Sequence, residues 1–515
     1  MKIDKKLILI ITVLLIGFCF RLFLTRDGNF LFNMDNARDF VDVREMVELK
    51  KMRLIGPTSA IDGLFNGPIW YYLLAVPYII SNGDPYAAVL MMNILWFVGG
   101  LFLLRFISKL NALSIILVGL IWATSDYIVL ASLYSFNPSP VLFLTPVFVY
   151  LILKYLETKK LLFSFLSFFT GGVFFNFEMN FGVFVPAIIF FTVLFYKREL
   201  LKTVNFWLGS IGFIICLIPQ IFFDLRHQFI MSNAVLGFLQ TEGEKGSSFN
   251  ITTRFNILFN TFKEVYSSIF MNKPWLVNLS ILLIVIGITQ FIKEKKQNAI
   301  VTIGLLLVFV PFITFLFIPV QVNTWHLGAE IVGGLILLGY FSTYLYKYNL
   351  WGKLLVVVLT FITIFYSFNS ILKSIQEKDK PNTDPSLYKN EVAAIDYVYQ
   401  RANGKNFKVY IYLPSVIDYP YQYLIWWKGL NQYGYLPEDY AYHPGKPQYI
   451  SNKESFSATP ENLAKRENSN LLFLIKEPDR IQMRKAWVDD FDPLKIIEND
   501  KLGSIEIEVR EVPQQ

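Results

Sequence analysis

Along the first 371 residues of the chain, long apolar runs alternate with short polar segments. A helix needs about 20 mostly apolar residues to cross a bilayer. Runs near that length are residues 7–24, 87–104, 113–130, 140–155, 161–175, 181–195, 206–223, 276–292, 300–320, 327–345 and 354–371. They predict eleven crossings. The first has a basic start, MKIDKK, yet its apolar stretch of roughly 18 residues lacks a small-residue cleavage pattern, so it reads as a retained helix and not a removed signal. The run IWYYLLAVPYII, residues 69–80, is ambiguous by length, being only about a dozen residues bounded by FNGP and SNGDP.

Charge orients the bundle. Basic clusters occur at Lys2, Lys5 and Lys6; Arg105 and Lys109; Lys154, Lys159 and Lys160; Lys197, Arg198 and Lys202; Lys293, Lys295 and Lys296; and Lys347 and Lys353. The positive-inside rule puts all of them on the cytoplasmic side, so each neighbouring pair is separated by an even number of crossings. Between Lys6 and Arg105 this allows two crossings and forbids a third. Residues 69–80 are therefore expected to form an interfacial helix on the outer surface, anchored by Trp70, Tyr71 and Tyr72. Eleven crossings leave the C-terminus outside, together with long outer segments at residues 25–86 and 224–275.

After residue 371 the pattern changes. Polar KDKPNTDPS leads to an amphipathic helix, NEVAAIDYVYQRA, and then to strand-like FKVYIYLP, NLLFLIKEP and SIEIEVREV. The expected fold is an all-α polytopic membrane domain over residues 1–371, followed by a small extracytoplasmic α/β domain over 372–515. The aromatic stretch DYPYQYLIWWKGLNQYGYLP could stack on sugars, but a small domain also needs an aromatic core, and core is the favoured assignment.

Composition agrees with a multi-pass protein of the cytoplasmic membrane. Hydrophobic residues make up 54% and charged residues 17%, against about 25% charged in soluble domains, and the mean hydropathy is +0.44. The net charge of +7 lies largely in loops flanking apolar runs, which excludes nucleic acid as a partner. Cys19 and Cys216 sit inside apolar runs, so no disulfide framework or cysteine metal site is available.

Candidate chemistry gathers on the outer side. In NMDNARDFVDVREMVELKK, positions Ala37, Phe40, Val41, Met46 and Val47 fit one face of a helix lying on the membrane, and Asp35 and Asp39 share a face four residues apart. Asp35 could equally be the cap of that helix. A tightly turned loop, GPTSAIDGLFNGP, follows. Other ionisable groups near outer helix ends are Asp126, Glu178, Arg226, His227, His326 beside Asn323 and Trp325, and Glu330. An ionisable group at membrane depth is a functional candidate, although Arg226 could also snorkel to headgroups. With three histidines, His227, His326 and His443, a multi-histidine metal site is disfavoured. A divalent ion on carboxylates stays open.

The order of one membrane helix, MDNARDF, GPTS, GLFNGPIWYYLL and GDP, then FNPSP (136–140), PQIFFDLRHQF (219–229) and NTWHLGAE (323–330), resembles the GT-C superfamily of membrane glycosyltransferases. Within it, the likeness is to bacterial relatives of the protein O-mannosyltransferase (dolichyl-phosphate-mannose-protein mannosyltransferase) and aminoarabinose transferase families. The resemblance implies inverting transfer of a sugar from a polyprenyl-phosphate donor to an acceptor hydroxyl on a lipid, glycan or protein, at the outer face of the membrane. It implies Asp35 as the catalytic acid. Many relatives carry His before the GP where this chain has Asn66, a departure that puts a proton or phosphate role there in doubt. On that basis Asp39 and Glu178 are expected to orient the acceptor or bind a metal, Arg226 and His227 to hold the phosphate, and Asn323 and His326 to contact substrate. The rival class is a transporter or flippase of lipid-linked sugars. Such proteins place polar sites at the midplane, often in repeated halves, whereas these candidates lie at one surface and no repeat is visible. A non-catalytic scaffold would leave the paired acids and the Gly/Pro loop without a role.

Overall fold

The computed structural model describes residues 4–108, 111–244, 250–318, 320–445, 450, 455–456 and 468–512. Lys2 and Lys109 of the basic clusters lie outside these. In chain order the helices are α1 (Lys5–Leu24), α2 (Met34–Glu48), α3 (Ile69–Ser81), α4 (Pro85–Ser108), α5 (Ala112–Thr124), α6 (Asp126–Leu133), α7 (Ser139–Thr158), α8 (Leu161–Phe177), α9 (Met179–Gly182) and α10 (Val185–Lys197). They continue as α11 (Val204–Arg226), α12 (Ile230–Glu244), α13 (Ile251–Ile269), α14 (Pro274–Lys293), α15 (Ala299–Phe317), α16 (Gly328–Tyr348), α17 (Leu350–Gln376), α18 (Tyr388–Ala402) and α19 (Tyr419–Lys428). The chain divides into two compact units. One holds residues up to 23, 53–73 and 89–376, and the other holds 24–52, 74–88 and 377 onward.

In the first unit, nine of the eleven expected crossings are helical spans long and apolar enough to traverse a bilayer, among the described residues. The expected span over 113–130 is instead two helices, α5 and α6, bent by 51° at Ser125. The eleventh is α8, at 17 residues a short span. Arg21 of α1 explains how the bend at Ser125 is tolerated. Its Nη1 donates to Ala123 O at 2.8 Å, on the last turn before the break, and its Nε donates to Ser132 Oγ at 2.7 Å beyond it. The guanidinium lies 3.7 Å over the Trp96 ring and is fully buried. A buried carbonyl freed by a helix break needs such a donor, because hydrocarbon offers none. Arg254 of α13 treats the other exposed helix end alike: its Nε reaches Phe315 O at 3.1 Å, and its Nη2 donates to Ile318 O and Val320 O past the end of α15.

Helix α3 has 13 residues, as expected of a non-crossing segment. The aromatic anchor is a correction, however. Trp70 and Tyr71 are buried by protein, Trp70 edge-on to Phe177, and of the three aromatics only Tyr72 is open. What α3 exposes is aliphatic: Val76, Ile79 and Ile80.

The second unit is built on a five-stranded sheet of order β2-β1-β3-β5-β4, with β1 (Asn406–Tyr412), β2 (Asp439–Ala441), β3 (Asn468–Lys476), β4 (Lys495–Leu502) and β5 (Ile505–Glu511). β1 runs parallel to β2 and β3, while β5 is antiparallel to β3 and β4. Alternation splits the core between the faces. Tyr410, Tyr412, Leu472 and Leu474 meet Trp487 and Phe491 on one side. Phe407 on the other packs against Tyr399 of α18. The aromatic stretch at 418–437 is core, as favoured: Tyr421, Tyr423, Leu424 and Ile425 of α19 are all buried.

Helix α2 belongs to this unit, which corrects its expected position on the membrane. Ala37, Phe40, Val41 and Met46 are buried by protein. Phe40 and Phe32 both contact Tyr423, and Arg44 stacks on Trp426 and Phe456. A short antiparallel bridge, Leu31 to Leu387, and a stack of Phe30 on Tyr388 at 4.8 Å fasten the approach to the helix. An amphipathic pattern states only that one face avoids water, not what covers it.

Beside this packing lies a buried acid. Burial pushes the Glu477 carboxyl up to about 7, against a hydrogen bond from Tyr421 that lowers it. Between the ordinary carboxylate value and about 7 the folded chain keeps a proton that the unfolded chain releases, so stability falls as pH rises through that window. Wild type is expected to lose about 3 kcal/mol between pH 4.5 and 8 relative to Glu477→Gln. Paired unfolding curves of the full-length proteins, followed by tryptophan fluorescence, measure this. Parallel curves for the two proteins across the window would be the contrary result.

Candidate functional site

Helix α2 starts at a cap two residues before the acid of interest. Asn33 is the N-cap, and its side chain accepts from Asp35 N at 3.1 Å. Asp35 thus occupies the second helical position, where the helix dipole favours a carboxylate, and its side chain is not consumed by capping. Arg38, one turn on, bridges the acid pair. Its Nη1 lies 3.4 Å from Asp35 Oδ1, while Nε and Nη2 donate to Asp39 Oδ1 at 3.0 and 2.9 Å. The two acids expected to meet therefore meet through an arginine.

Their exposures differ. The Asp39 side chain is 0% exposed and that of Asp35 is 37%. Asp35 Oδ2 has no partner among the described residues. Tyr419, the first tyrosine of the aromatic stretch, opens α19 within electrostatic reach of Arg38 and Asp39. Burial pushes its phenol up to about 12, with Asp42 and Asp39 adding to the shift and Arg38 opposing it, so it remains an O–H donor at neutral pH.

The other expected residues lie in the first unit. Glu178 ends α8 and caps α9, its Oε1 accepting from Asn180 N at 3.0 Å. The same oxygen is 3.2 Å from His326 Nδ1, which is 3.3 Å from the Asn180 side-chain nitrogen. A proton on Nδ1 makes the first contact a hydrogen bond donated to Glu178, and a bare Nδ1 accepts from Asn180 instead. Glu178 and His326 are both buried. Asn137, from FNPSP, braces the interruption before Glu178 by donating to Phe177 O at 2.7 Å. Asn323 caps the single turn Thr324–Leu327 that carries His326, and Tyr127 donates to Thr324 O at 2.9 Å.

Glu330 follows one turn after His326. It is fully buried, and neither carboxylate oxygen has a hydrogen-bond partner in another residue among those described. Asp126 is tied to Asn272 at 2.8 Å. No group of three or more His, Cys, Asp and Glu side chains gathers to hold a metal ion, among the described residues.

Arg226 and His227 sit at the C-terminal end of α11. The His227 ring stacks on Phe223 at 4.0 Å, and its Nδ1 donates to Phe223 O at 2.8 Å. Arg226 is exposed and has no carboxylate partner among the described residues.

The Gly/Pro loop is a miniature hairpin. Gly56 N donates to Asn66 O, Asn66 N to Pro57 O, and Thr58 bridges Phe65. Two amides bolt it to helices. Gln220 of α11 donates to Phe65 O at 3.0 Å, and the Asn176 side chain of α8 covers Gly67 so closely that a Cβ there would fall 1.8 Å from Asn176 Oδ1. Asn176 also donates to Gly172 O and Cys216 O. Glycine at 67 is therefore a steric requirement.

The sequence-selected residues thus form two groups within separate units: Asp35 with Asp39, and Glu178 with His326 and Asn323. Arg226 and His227 stand by themselves. No protein-family model matches the chain, and no curated protein matches its sequence. A solved structure does match in shape. The crystal structure of ArnT from Cupriavidus metallidurans bound to undecaprenyl phosphate superposes with a TM-score of 0.56 at 10% identity, covering 99% of each chain. The chain shares its fold with ArnT. That fold, membrane helices followed by a small terminal α/β domain, is the one expected from the sequence.

The Gly67 contact yields a test. Gly67→Ala is expected to cost on the order of 2 kcal/mol, as overpacking of a tight site does. Asn176→Ala in the same chain should return part of that loss by vacating the space. Melting curves for the two single variants and the double variant measure the coupling. Strict additivity would show that the loop does not rest on Asn176.

Proposed function

We propose that the protein is an inverting glycosyltransferase that moves a sugar from a polyprenyl-phosphate carrier to an acceptor hydroxyl at the outer face of the membrane. The observation that carries this reading is the free oxygen of Asp35 at the start of α2, in a chain with the fold of a protein crystallised with undecaprenyl phosphate. A sugar on a lipid phosphate already has a good leaving group. It needs one base to take the acceptor's proton and cations to receive the departing charge.

In the proposed step, Asp35 accepts the hydroxyl proton as the acceptor oxygen bonds to C1 of the sugar. The C1–O bond to phosphate breaks, and the polyprenyl phosphate leaves with the electron pair. Attack from the face opposite the phosphate inverts the anomeric centre, as in the general-base half of an inverting glycosidase. Arg38, anchored by buried Asp39, fixes the Asp35 carboxylate and leaves its second oxygen for the proton. Asp39 then acts as a positioning residue. Arg226 and His227 are assigned to the phosphate, and Glu178, His326 and Asn323 to the acceptor. The acceptor class covers lipid, glycan and protein hydroxyls, and a divalent ion stays compatible with the exposed carboxylate.

The experiment is transfer in membranes from a radiolabelled polyprenyl-phosphate sugar. Asp35→Asn is expected to reduce the rate by at least roughly 100-fold, the usual contribution of a general base, with melting temperature unchanged. A rate near that of wild type would reject the assignment.

A further inference from the structure

A cavity of about 270 Å³ lies at the end of the bundle that carries the lysine-rich turn 293–296, and none of the residues assigned above to the transfer reaction lines it. Its walls come from the C-terminal ends of α10 and α14, the first turns of α15 and one residue of α16. One side is apolar, with Phe195, Ile292, Leu305 and Phe341. The other is polar, with Lys296, Gln297 and Asn298 immediately before α15, Asn298 being its N-cap. Phe195 and Ile292 are 61% and 66% exposed, so the apolar side continues outward onto a surface that only lipid would cover in a membrane.

The turn beside the polar side is net positive, with one acid, Glu294, against Lys293, Lys295 and Lys296. Lys296 pairs with Glu294 and lies 4.7 Å over the Tyr344 ring. Lys293 and Lys295 have no carboxylate partner among the described residues and are exposed. The helix dipole of α15 adds partial positive charge from below. A site with cations and amide donors at one end and aromatic and aliphatic walls at the other matches a molecule that is itself amphiphilic and anionic.

We propose that this cavity is a binding site for an anionic phospholipid, with the phosphodiester and its glycerol substituent held by Lys296, Gln297 and the first turn of α15, and an acyl chain lying along Phe195 and Ile292. Basic pockets between membrane helices take lipid headgroups by this combination of charge and apolar walls. The site is separate from the transfer chemistry, and its occupancy is independent of Asp35. A zwitterionic lipid presents the same phosphate, but its cationic headgroup meets Lys296 and the net positive charge of the 293–296 turn and is disfavoured.

The test uses the full-length protein in detergent, with lipid retention read by native mass spectrometry and stabilisation by thermal shift. Phosphatidylglycerol, phosphatidylcholine and inorganic phosphate are the probes. Phosphatidylglycerol is expected to be retained preferentially and to raise the melting temperature, while inorganic phosphate at millimolar concentration leaves it unchanged. Lys296→Gln should weaken phosphatidylglycerol binding about fivefold, the usual effect of one lysine at an anionic headgroup. Leu305→Trp, which fills the cavity, should abolish the preference. Equal retention of the two lipids, the same stabilisation by inorganic phosphate, or a preference that survives Lys296→Gln at full strength would each overturn the proposal. So would a loss in Leu305→Trp alone, which would mean an apolar pocket without headgroup recognition. If Leu305→Trp fails to fold, Lys296→Gln decides.

Discussion

In hydrocarbon an unpaired backbone carbonyl costs several kcal/mol, and each interruption of a helix described above has a side chain that answers that cost. Arg21 bridges the bend at Ser125 by reaching Ala123 O and Ser132 Oγ. Asn137 satisfies Phe177 O where α8 gives way to Glu178. Arg254 collects one carbonyl in the last turn of α15 and two past its end. Broken helices are also a feature of transporters, where the freed backbone lines a substrate path. Here the freed groups are occupied by the protein's own arginines and amides.

Against this background of satisfied groups, two carboxylates stand apart. Glu330 is buried with both oxygens unpaired among the described residues, four residues after the histidine that contacts Glu178. Asp35 is half open, freed from capping by Asn33 and held at one oxygen by Arg38. The contrast with Asp39 is one of environment: the same residue type on the same helix face is fully buried and paired at one position and partly open at the other. Burial of a charge requires pairing, and the arginine between them supplies it, so the role of each acid follows from its depth.

Hydropathy made the membrane spans legible, and alternation made three of the five strands legible, because both patterns are long and repeat. The misses have local causes. β2 has three residues, too few for a period, and β4 is an edge strand whose charged residues conceal it. Trp70 and Tyr71 resemble interfacial anchors by type, but protein covers them. The apolar face of α2 was legible as a face, while its partner, α19, lies almost 400 residues away and leaves no mark in the local pattern. Arg21 was missed for the same reason: its oxygen partners are 102 and 111 residues distant. At the candidate site, residue types pointed to Asp35, Asp39, Glu178 and His326, but Arg38 and Tyr419 emerge only from three-dimensional placement. The order of motifs conveyed the fold, which the likeness to ArnT supports at a sequence identity of 10%.

The central claim is that the open carboxylate at the start of α2 works on the outer side of the membrane. The most direct measurement places a cysteine at position 35, with Cys19 and Cys216 replaced, and treats intact cells with a membrane-impermeant thiol reagent. Labelling before lysis is the result the account requires. Labelling that appears only once the cells are broken would put the carboxylate on the wrong side and contradict it.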